Sequence, residues 1–348
     1  MNVSDHKCPN CDAVLKFDPI TGKWKCEYCA SIFSLEEVDT FHKNRKDTEK
    51  ESSKKDFSSY KCPDCGAEIV MDDETTATFC VYCGNTAIIK NKMQGEFAPS
   101  KVIPFKTTKE QAIQKFTEYN KGKLFIPNEF TNKNNIEKIS GIYIPFFIYD
   151  CEADADINVS ASKVSTWSDS RYDYTKKDTY NVETAGTMHF ENIPVDGSTR
   201  FPNDIMNSIE PFLYNDLTDF NPSYLSGFLS ERYDTSIDEL FEIAKARATS
   251  TANTSLLNTI TGYTFKTIKN SNTKITKNNT SEYVLLPVWM LNVKYKEKFY
   301  TLAMNGQTGK FVGNVPIDKR KVAKYWFGIT GGFSFASIAI AVLLGIIL

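Results

Sequence analysis

Apolar residues recur along the middle of the chain with two different periods, and the change from one to the other predicts its elements. After residue 107 they fall three and four apart, at Ala112, Ile113, Phe116 and Tyr119, the spacing that gathers side chains on one face of an α-helix. Thr107 or Thr108 supplies a capping hydroxyl with Glu110 or Gln111 three positions on, and Lys121-Gly122 marks the stop. A second helix is expected from Ser236, with Glu239 in the capping-box position and Ile237, Leu240, Phe241 and Ala244 at helical spacing.

The rest of residues 101–318 reads mainly as strands. Ile142-Tyr143-Ile144-Pro145-Phe146-Phe147-Ile148 looks like a copy of Val284-Leu285-Leu286-Pro287-Val288-Trp289-Met290. Each copy continues into alternating polar and apolar positions, Asp150 to Val159 and Asn292 to Ala303. Proline has no ladder donor, so these prolines, with Pro104, Pro194 and Pro316, are expected at strand starts, edges or bulges. Asn305-Gly306 and Thr308-Gly309 predict a tight turn between the last strands. The expected fold class is α+β: a mainly antiparallel β domain with a few helices, built on two related halves.

Beyond residue 324 the polar positions thin out. No charged residue occurs from Tyr325 to Leu348, and those 24 residues would reach about 36 Å as a helix, enough to cross a hydrocarbon layer of about 30 Å. Lys319, Arg320, Lys321 and Lys324 precede the stretch, and Tyr325 and Trp326 begin it. The expectation is a C-terminal transmembrane helix over 325–348 after a basic juxtamembrane segment at 319–324. It implies a single-pass protein of the cell membrane, with the lipid bilayer as a partner and the N-terminal region cytoplasmic. Gly328, Gly332 and Ala336 share one helical face, which suggests self-association through that helix.

Eight of the nine cysteines form two copies of one pattern. Cys8-x-x-Cys11 is followed after fourteen residues by Cys26-x-x-Cys29, and Cys62-x-x-Cys65 after fourteen by Cys80-x-x-Cys83, each cysteine 54 positions after its counterpart. Two such turns around a hairpin-sized spacer place four thiolates at the corners of a tetrahedron, the arrangement of a closed structural zinc site. Disulfides need an oxidising compartment, and the first residues have no apolar stretch of signal type. Iron also suits four thiolates, but nothing marks an electron-transfer partner. Two Zn2+ ions are therefore expected, one per ribbon, with residues 1–35 as ribbon one and 60–90 as ribbon two. A module of this size cannot bury enough apolar surface to fold without metal. Ribbon two has Gly66 and Gly84 after its knuckles where ribbon one has Asp12 and Ala30, which should make ribbon one the weaker holder.

The remaining segments add bounds. Residues 36–59, including Lys43, Arg45, Lys46, Lys50, Lys54 and Lys55, carry almost no apolar content and read as a solvated helix or tether, and residues 91–100 as a second linker. The whole chain of 348 residues has a formal charge of −2, so no global field steers it toward a polyanion. Within ribbon two, Lys61 and Lys90 stand against Asp64, Glu68, Asp72, Asp73 and Glu74, the wrong sign for a phosphate backbone, and nucleic acid is not expected as a partner.

Catalytic equipment is not found. His6, His42 and His189 are the only histidines and none sits in a metalloprotease pattern. Gly306-Gln307-Thr308-Gly309-Lys310 imitates a phosphate loop but has Met304 for its first glycine and Phe311 for the metal-binding hydroxyl. No catalytic and no organic-cofactor residues are assigned, and an enzyme is not expected. Asp150, Glu152, Asp154 and Asp156 alternate with Cys151, Ala153 and Ala155, so a water-facing acidic strand side with Cys151 inward is the simplest account. Phe17, Trp24 and Tyr28, with Phe79 and Tyr82, are ribbon core or protein contacts.

The two ribbons, Gly141-Ile142-Tyr143-Ile144-Pro145-Phe146, Asn192-Ile193-Pro194-Val195-Asp196-Gly197-Ser198, and Leu286-Pro287-Val288-Trp289-Met290 followed by Met304-Asn305-Gly306-Gln307-Thr308-Gly309-Lys310 resemble the YdjG-type TFIIB-like zinc-ribbon membrane proteins of Gram-positive bacteria. That resemblance implies a non-enzymatic membrane adaptor of the envelope-stress system, linked with a phage-shock-protein-A homologue and a flotillin-like SPFH protein. The competing reading is a membrane-tethered nucleic-acid-binding regulator.

Overall fold

The computed structural model describes residues 7–11, 13–46, 58–61, 68–71, 89–92, 99–278, 281–296 and 298–343. In chain order the elements are β1 (Leu15–Asp18), β2 (Lys23–Cys26), β3 (Ile32–Phe33), α1 (Leu35–Lys46), β4 (Ser58–Lys61), β5 (Glu68–Met71), β6 (Ile89–Lys92), β7 (Lys101–Val102), α2 (Lys109–Asn120), α3 (Lys133–Ile136), β8 (Ser140–Ser168) and β9 (Asp173–Asp196). They continue with α4 (Asn203–Ile209), β10 (Thr218–Asp219), β11 (Leu229–Glu231), α5 (Ile237–Thr259), β12 (Phe265–Lys277), β13 (Glu282–Tyr295), β14 (Lys298–Asn305), β15 (Phe311–Gly313) and α6 (Lys319–Leu343).

The fold is α+β. Strands β1, β2 and β3 make a small sheet, and the others join one 12-stranded sheet along the path β10-β7-β13-β8-β11-β5-β4-β6, with β9 and β12 on β8 and β14 and β15 beyond β13. Among the described residues only β11 with β8 and β7 with β13 run parallel. The two proline-centred copies pair with each other at the middle of this sheet, Leu285 opposite Pro145 and Pro287 opposite Tyr143.

Those prolines lie inside central strands with no shift of register between the two, which corrects their expected place at starts, edges or bulges, and the ladder explains why. On one side β8 pairs with β11 at Ile142 and Tyr143, then with β9 from Phe146 onward. On its outer side β13 pairs with β7 at Val284 and Leu285, then with β14 from Val288. Each proline stands in the gap where the neighbour changes. Its carbonyl still accepts a bond, Gly197 N–H donating to Pro145 at 2.9 Å and Gly306 N–H to Pro287 at 2.8 Å, while the missing N–H faces a point with no ladder partner.

Beyond Asp150, β8 continues as the middle strand of an arm, flanked by β9 and β12. Helix α5 lies on one face of it. Leu240, Ala244, Ala248, Ala252 and Leu256 are buried against Cys151, Ala153, Ala155, Ile157, Val159 and Ala161. Its 23 residues span about 34 Å, the length of roughly ten strand residues, so the hairpin past Ser162 extends beyond the helix. The opposite face carries Glu152, Asp154 and Asp156, as expected for a water-facing side, and neighbours satisfy them: His189 Nδ1 at 3.1 Å, Thr187 Oγ1 at 2.7 Å and Asn272 Nδ2 at 3.0 Å respectively.

Both helix starts read from the sequence are present. Thr108 and Gln111 form the capping box of α2, and the Ser236 hydroxyl accepts from Glu239 N–H at the start of α5. The Asn305 carboxamide accepts from Gln307 and Thr308 N–H, each at 2.9 Å, and closes the predicted turn.

The C-terminal expectation is corrected. Residues 319–343 are helical, yet among the described residues no helix is long and apolar enough to cross a membrane. The described part of α6 opens with Lys319, Arg320, Lys321 and Lys324, and further along Thr330 and Ser334 return hydroxyls to the backbone of Trp326 and Thr330, each at 2.8 Å. The transmembrane assignment of 325–348, the single-pass cell-membrane placement drawn from it and the transmembrane self-association of Gly328, Gly332 and Ala336 are withdrawn.

Candidate metal centre

Ribbon one is a hairpin between two cysteine turns. Asp18 fixes its tip by accepting from Ile20 N–H and the Thr21 hydroxyl, each at 3.0 Å, and Gly22 takes the left-handed conformation that the turn needs, φ +65°. The first knuckle closes with Cys8 N–H on Ala13 C=O at 2.7 Å, the second with Cys26 N–H on Ser31 C=O at 2.9 Å. Asn10 Nδ2 donates to the Ser31 hydroxyl at 2.9 Å and ties one knuckle to the other. Ala30 is left-handed, φ 58°, the strain that the missing glycine predicts.

These turns bring Cys8, Cys11, Cys26 and Cys29 together with one Sγ each, all within 4.8 Å of one another. Cys8 and Cys29 approach to 3.5 Å, as do Cys11 and Cys26. A tetrahedral zinc with bonds of about 2.3 Å has sulfur–sulfur edges of about 3.8 Å, so the four atoms fit such an ion and could hold it.

The thiols are not equivalent. Burial raises the pKa of Cys8. Cys11 accepts from the Ala13 N–H, but burial and the neighbouring sulfurs outweigh that bond and push it up to about 12. Cys29 is exposed, and the Ser31 hydroxyl 3.2 Å away and the Ser31 N–H bring it down to about 6. A metal ion binding here would have to displace the protons of the two raised thiols. Sequence reasoning missed Ser31, because a serine two residues past a cysteine carries no signal of its own.

The ribbon is fastened to the body. Trp24 donates its indole N–H to Ser223 C=O at 3.0 Å, and the rings of Phe17, Trp24 and Tyr224 meet at centroid distances of 5.1 to 5.3 Å. Cys8, Leu15, Phe17 and Trp24 share one cluster with Phe105, Phe116, Tyr143 and Trp289. Of the three aromatic contact candidates on this ribbon only Tyr28 faces water, 84% exposed. Between ribbon and body lies an open cleft of about 670 Å3, lined by Lys16, Ile20, Lys25, Lys109, Phe228 and Trp289 among others.

Cys62, Cys65, Cys80 and Cys83 lie outside the described residues, as do Asp12, His6, Phe79 and Tyr82. Around the second cysteine set β4, β5 and β6 are described, and β5 joins the main sheet beside β11, Val70 opposite Ser230. The acidic strand of the arm is not gathered into a cation site; among the described residues the cysteine group alone could hold a metal ion.

Against known proteins, a curated relative from Bacillus subtilis (strain 168), the uncharacterized protein YdjG, is 34% identical over 336 residues, which cover 82% of this chain and 98% of the relative. This chain belongs to the YdjG family. No family model matches this YdjG-family member, and no solved structure matches it. The relative's name assigns no activity.

Proposed function

We propose that this YdjG-family chain is a non-enzymatic zinc-ribbon adaptor that recruits or scaffolds partner proteins, of the phage-shock-protein-A or flotillin-like SPFH type, with one Zn2+ ion in each of two ribbons. Cys8, Cys11, Cys26 and Cys29 hold the first ion, and Cys62, Cys65, Cys80 and Cys83 the second. The observation that carries the reading is the sulfur cluster of ribbon one seated on a platform, since the same rings that fill the ribbon core also grip Tyr224. A ribbon fixed in this way presents Ile20 at the wall of the cleft and Tyr28 and Ile32 elsewhere on its surface, 70%, 84% and 49% exposed. Exposed apolar and aromatic side chains next to a groove are what a protein partner uses.

Binding of a purified phage-shock-protein-A homologue and a purified SPFH protein to the intact chain tests the proposal, with Cys8→Ser/Cys11→Ser and Cys62→Ser/Cys65→Ser pairs as comparisons. The expected result is capture of at least one partner by the intact chain and its loss with a metal-free ribbon. Equal capture by all three proteins removes the ribbons from the docking role. Retention on DNA at low salt that fades steeply as salt rises would favour the nucleic-acid reading instead.

A further inference from the structure

We propose that Cys29 of ribbon one is a peroxide-modification site whose oxidation, completed by Cys8, expels the metal. The inference rests on the zinc reading above and extends it, from a closed structural site to one that an oxidant opens. Three observations on the cluster converge. Cys29 is exposed, whereas Cys8 and Cys26 are 1% and 0% exposed and Cys11 is half-buried, so an oxidant from solvent meets Cys29 first. Cys8 Sγ stands 3.5 Å from Cys29 Sγ, across the two knuckles, so a resolving thiolate is already in place. The Ser31 hydroxyl lies 3.2 Å from the same sulfur and is itself held by Asn10 Nδ2, a fixed polar partner on the solvent side of the ligand.

The chemistry balances with hydrogen peroxide as the oxidant. The Cys29 thiolate attacks one peroxide oxygen, the O–O bond breaks, and the departing hydroxide takes a proton from solvent to become water. Cys29 is left as a sulfenic acid. The Cys8 thiolate then attacks that sulfur, the S–O bond breaks, the S–S bond forms, and the second hydroxide leaves as water with a second proton. Two thiolates have given two electrons to the peroxide, and the ion, left with Cys11 and Cys26 alone, departs as Zn2+. A normal disulfide of about 2.05 Å requires the two sulfurs to close from 3.5 Å.

The test uses the full chain loaded with zinc, its metal content measured first. Hydrogen peroxide is added in steps, released zinc is followed with a chromogenic chelator, and disulfides are mapped by peptide mass spectrometry. The Cys8–Cys29 linked peptide should rise in step with released zinc. In Cys29→His, which keeps a nitrogen ligand for the ion but no oxidisable thiol there, that peptide is lost and ribbon one should keep its metal at doses that empty the parent. Should the variant not fold, the map of the parent chain decides alone. Zinc that stays bound at every dose, or leaves with Cys11, Cys26 or the second set oxidised while Cys8 and Cys29 stay reduced, overturns the proposal. A chain carrying no zinc at the outset overturns the metal reading itself, a result distinct from either.

Discussion

Ala30 holds a left-handed backbone at φ 58° with a methyl group attached, and that conformation costs an L-residue about 1–2 kcal/mol. Glycine has no such penalty. Ala30→Gly should therefore tighten ribbon one, raising its stability by about 1 kcal/mol, read as slower zinc transfer to a competing chelator; an unchanged or faster transfer means the knuckle does not carry that strain. Asp196 shows the same directness in its charge. Burial, opposed by the Ser198 N–H at 3.0 Å and assisted by Asp234, lifts its pKa to about 7, and its Oδ2 is buried with no hydrogen-bond partner among the described residues. A carboxyl raised above its unfolded value of 3.8 gives stability that is complete below that pH and is lost as pH climbs through about 7. At about 1.4 kcal/mol per tenfold the ceiling is on the order of 4 kcal/mol. Urea unfolding between pH 4 and pH 8 should show the parent weakening more than Asp196→Asn; parallel curves would falsify the assignment.

Among the elements, α5 separates what patterning reveals from what packing imposes. Its start is legible because Ser236 and Glu239 cap it and Leu240 and Ala244 follow at helical spacing. Its second half, Ala248 to Thr259, is rich in Thr, Ser and Asn, poor helix formers that give no amphipathic signal. The helix persists there because Ala248, Ala252 and Leu256 pack on the alanine-lined face of β8, while Thr251 and Thr254 return their hydroxyls to Arg247 and Ser250 C=O at 2.9 and 2.8 Å. The four cysteines of ribbon one were likewise legible from spacing, whereas Tyr224, some 200 positions away, was not, since nothing local marks a long-range partner. The interior prolines were misplaced for a similar reason: the ladder gap that accommodates them comes from the ends of other strands. Small residues on both sides of the α5–β8 contact make it intolerant of volume. Ala252→Leu should cost about 1–3 kcal/mol by overpacking, lowering the thermal midpoint, while Thr254→Ala on the exposed side should not lower it. Equal effects at the two sites would mean that the close approach of helix and sheet does not matter.

For the whole molecule the question is how far the ribbon and the body stand or fall together. Ribbon one shares its core with the body through Phe17, Trp24 and Tyr224, yet the body has three clusters that the ribbon never enters, around Ile144 and Met206, around Tyr149 and Leu240, and around Val159 and Leu256. Metal binding contributes on the order of 10–16 kcal/mol to a ribbon of this kind, whereas losing a buried Phe or Trp costs about 3–5 kcal/mol. The aromatic contacts alone could not replace an ion bound by the four cysteines. Stripping the metal with a strong chelator should thus release residues 7–33 while leaving the sheet and α5 folded. Hydrogen exchange should quicken in the ribbon and in the Ser223–Leu229 segment that it covers, with far-ultraviolet dichroism largely kept. Tryptophan emission should shift to the red, because Trp24 is 1% exposed in the assembled chain, and a Trp24→Phe protein should lack that component. Collapse of the entire chain in one step would mean that the shared cluster makes ribbon and body a single cooperative unit, and unchanged exchange over 7–33 would mean that contact with the body, and not the ion, orders the ribbon.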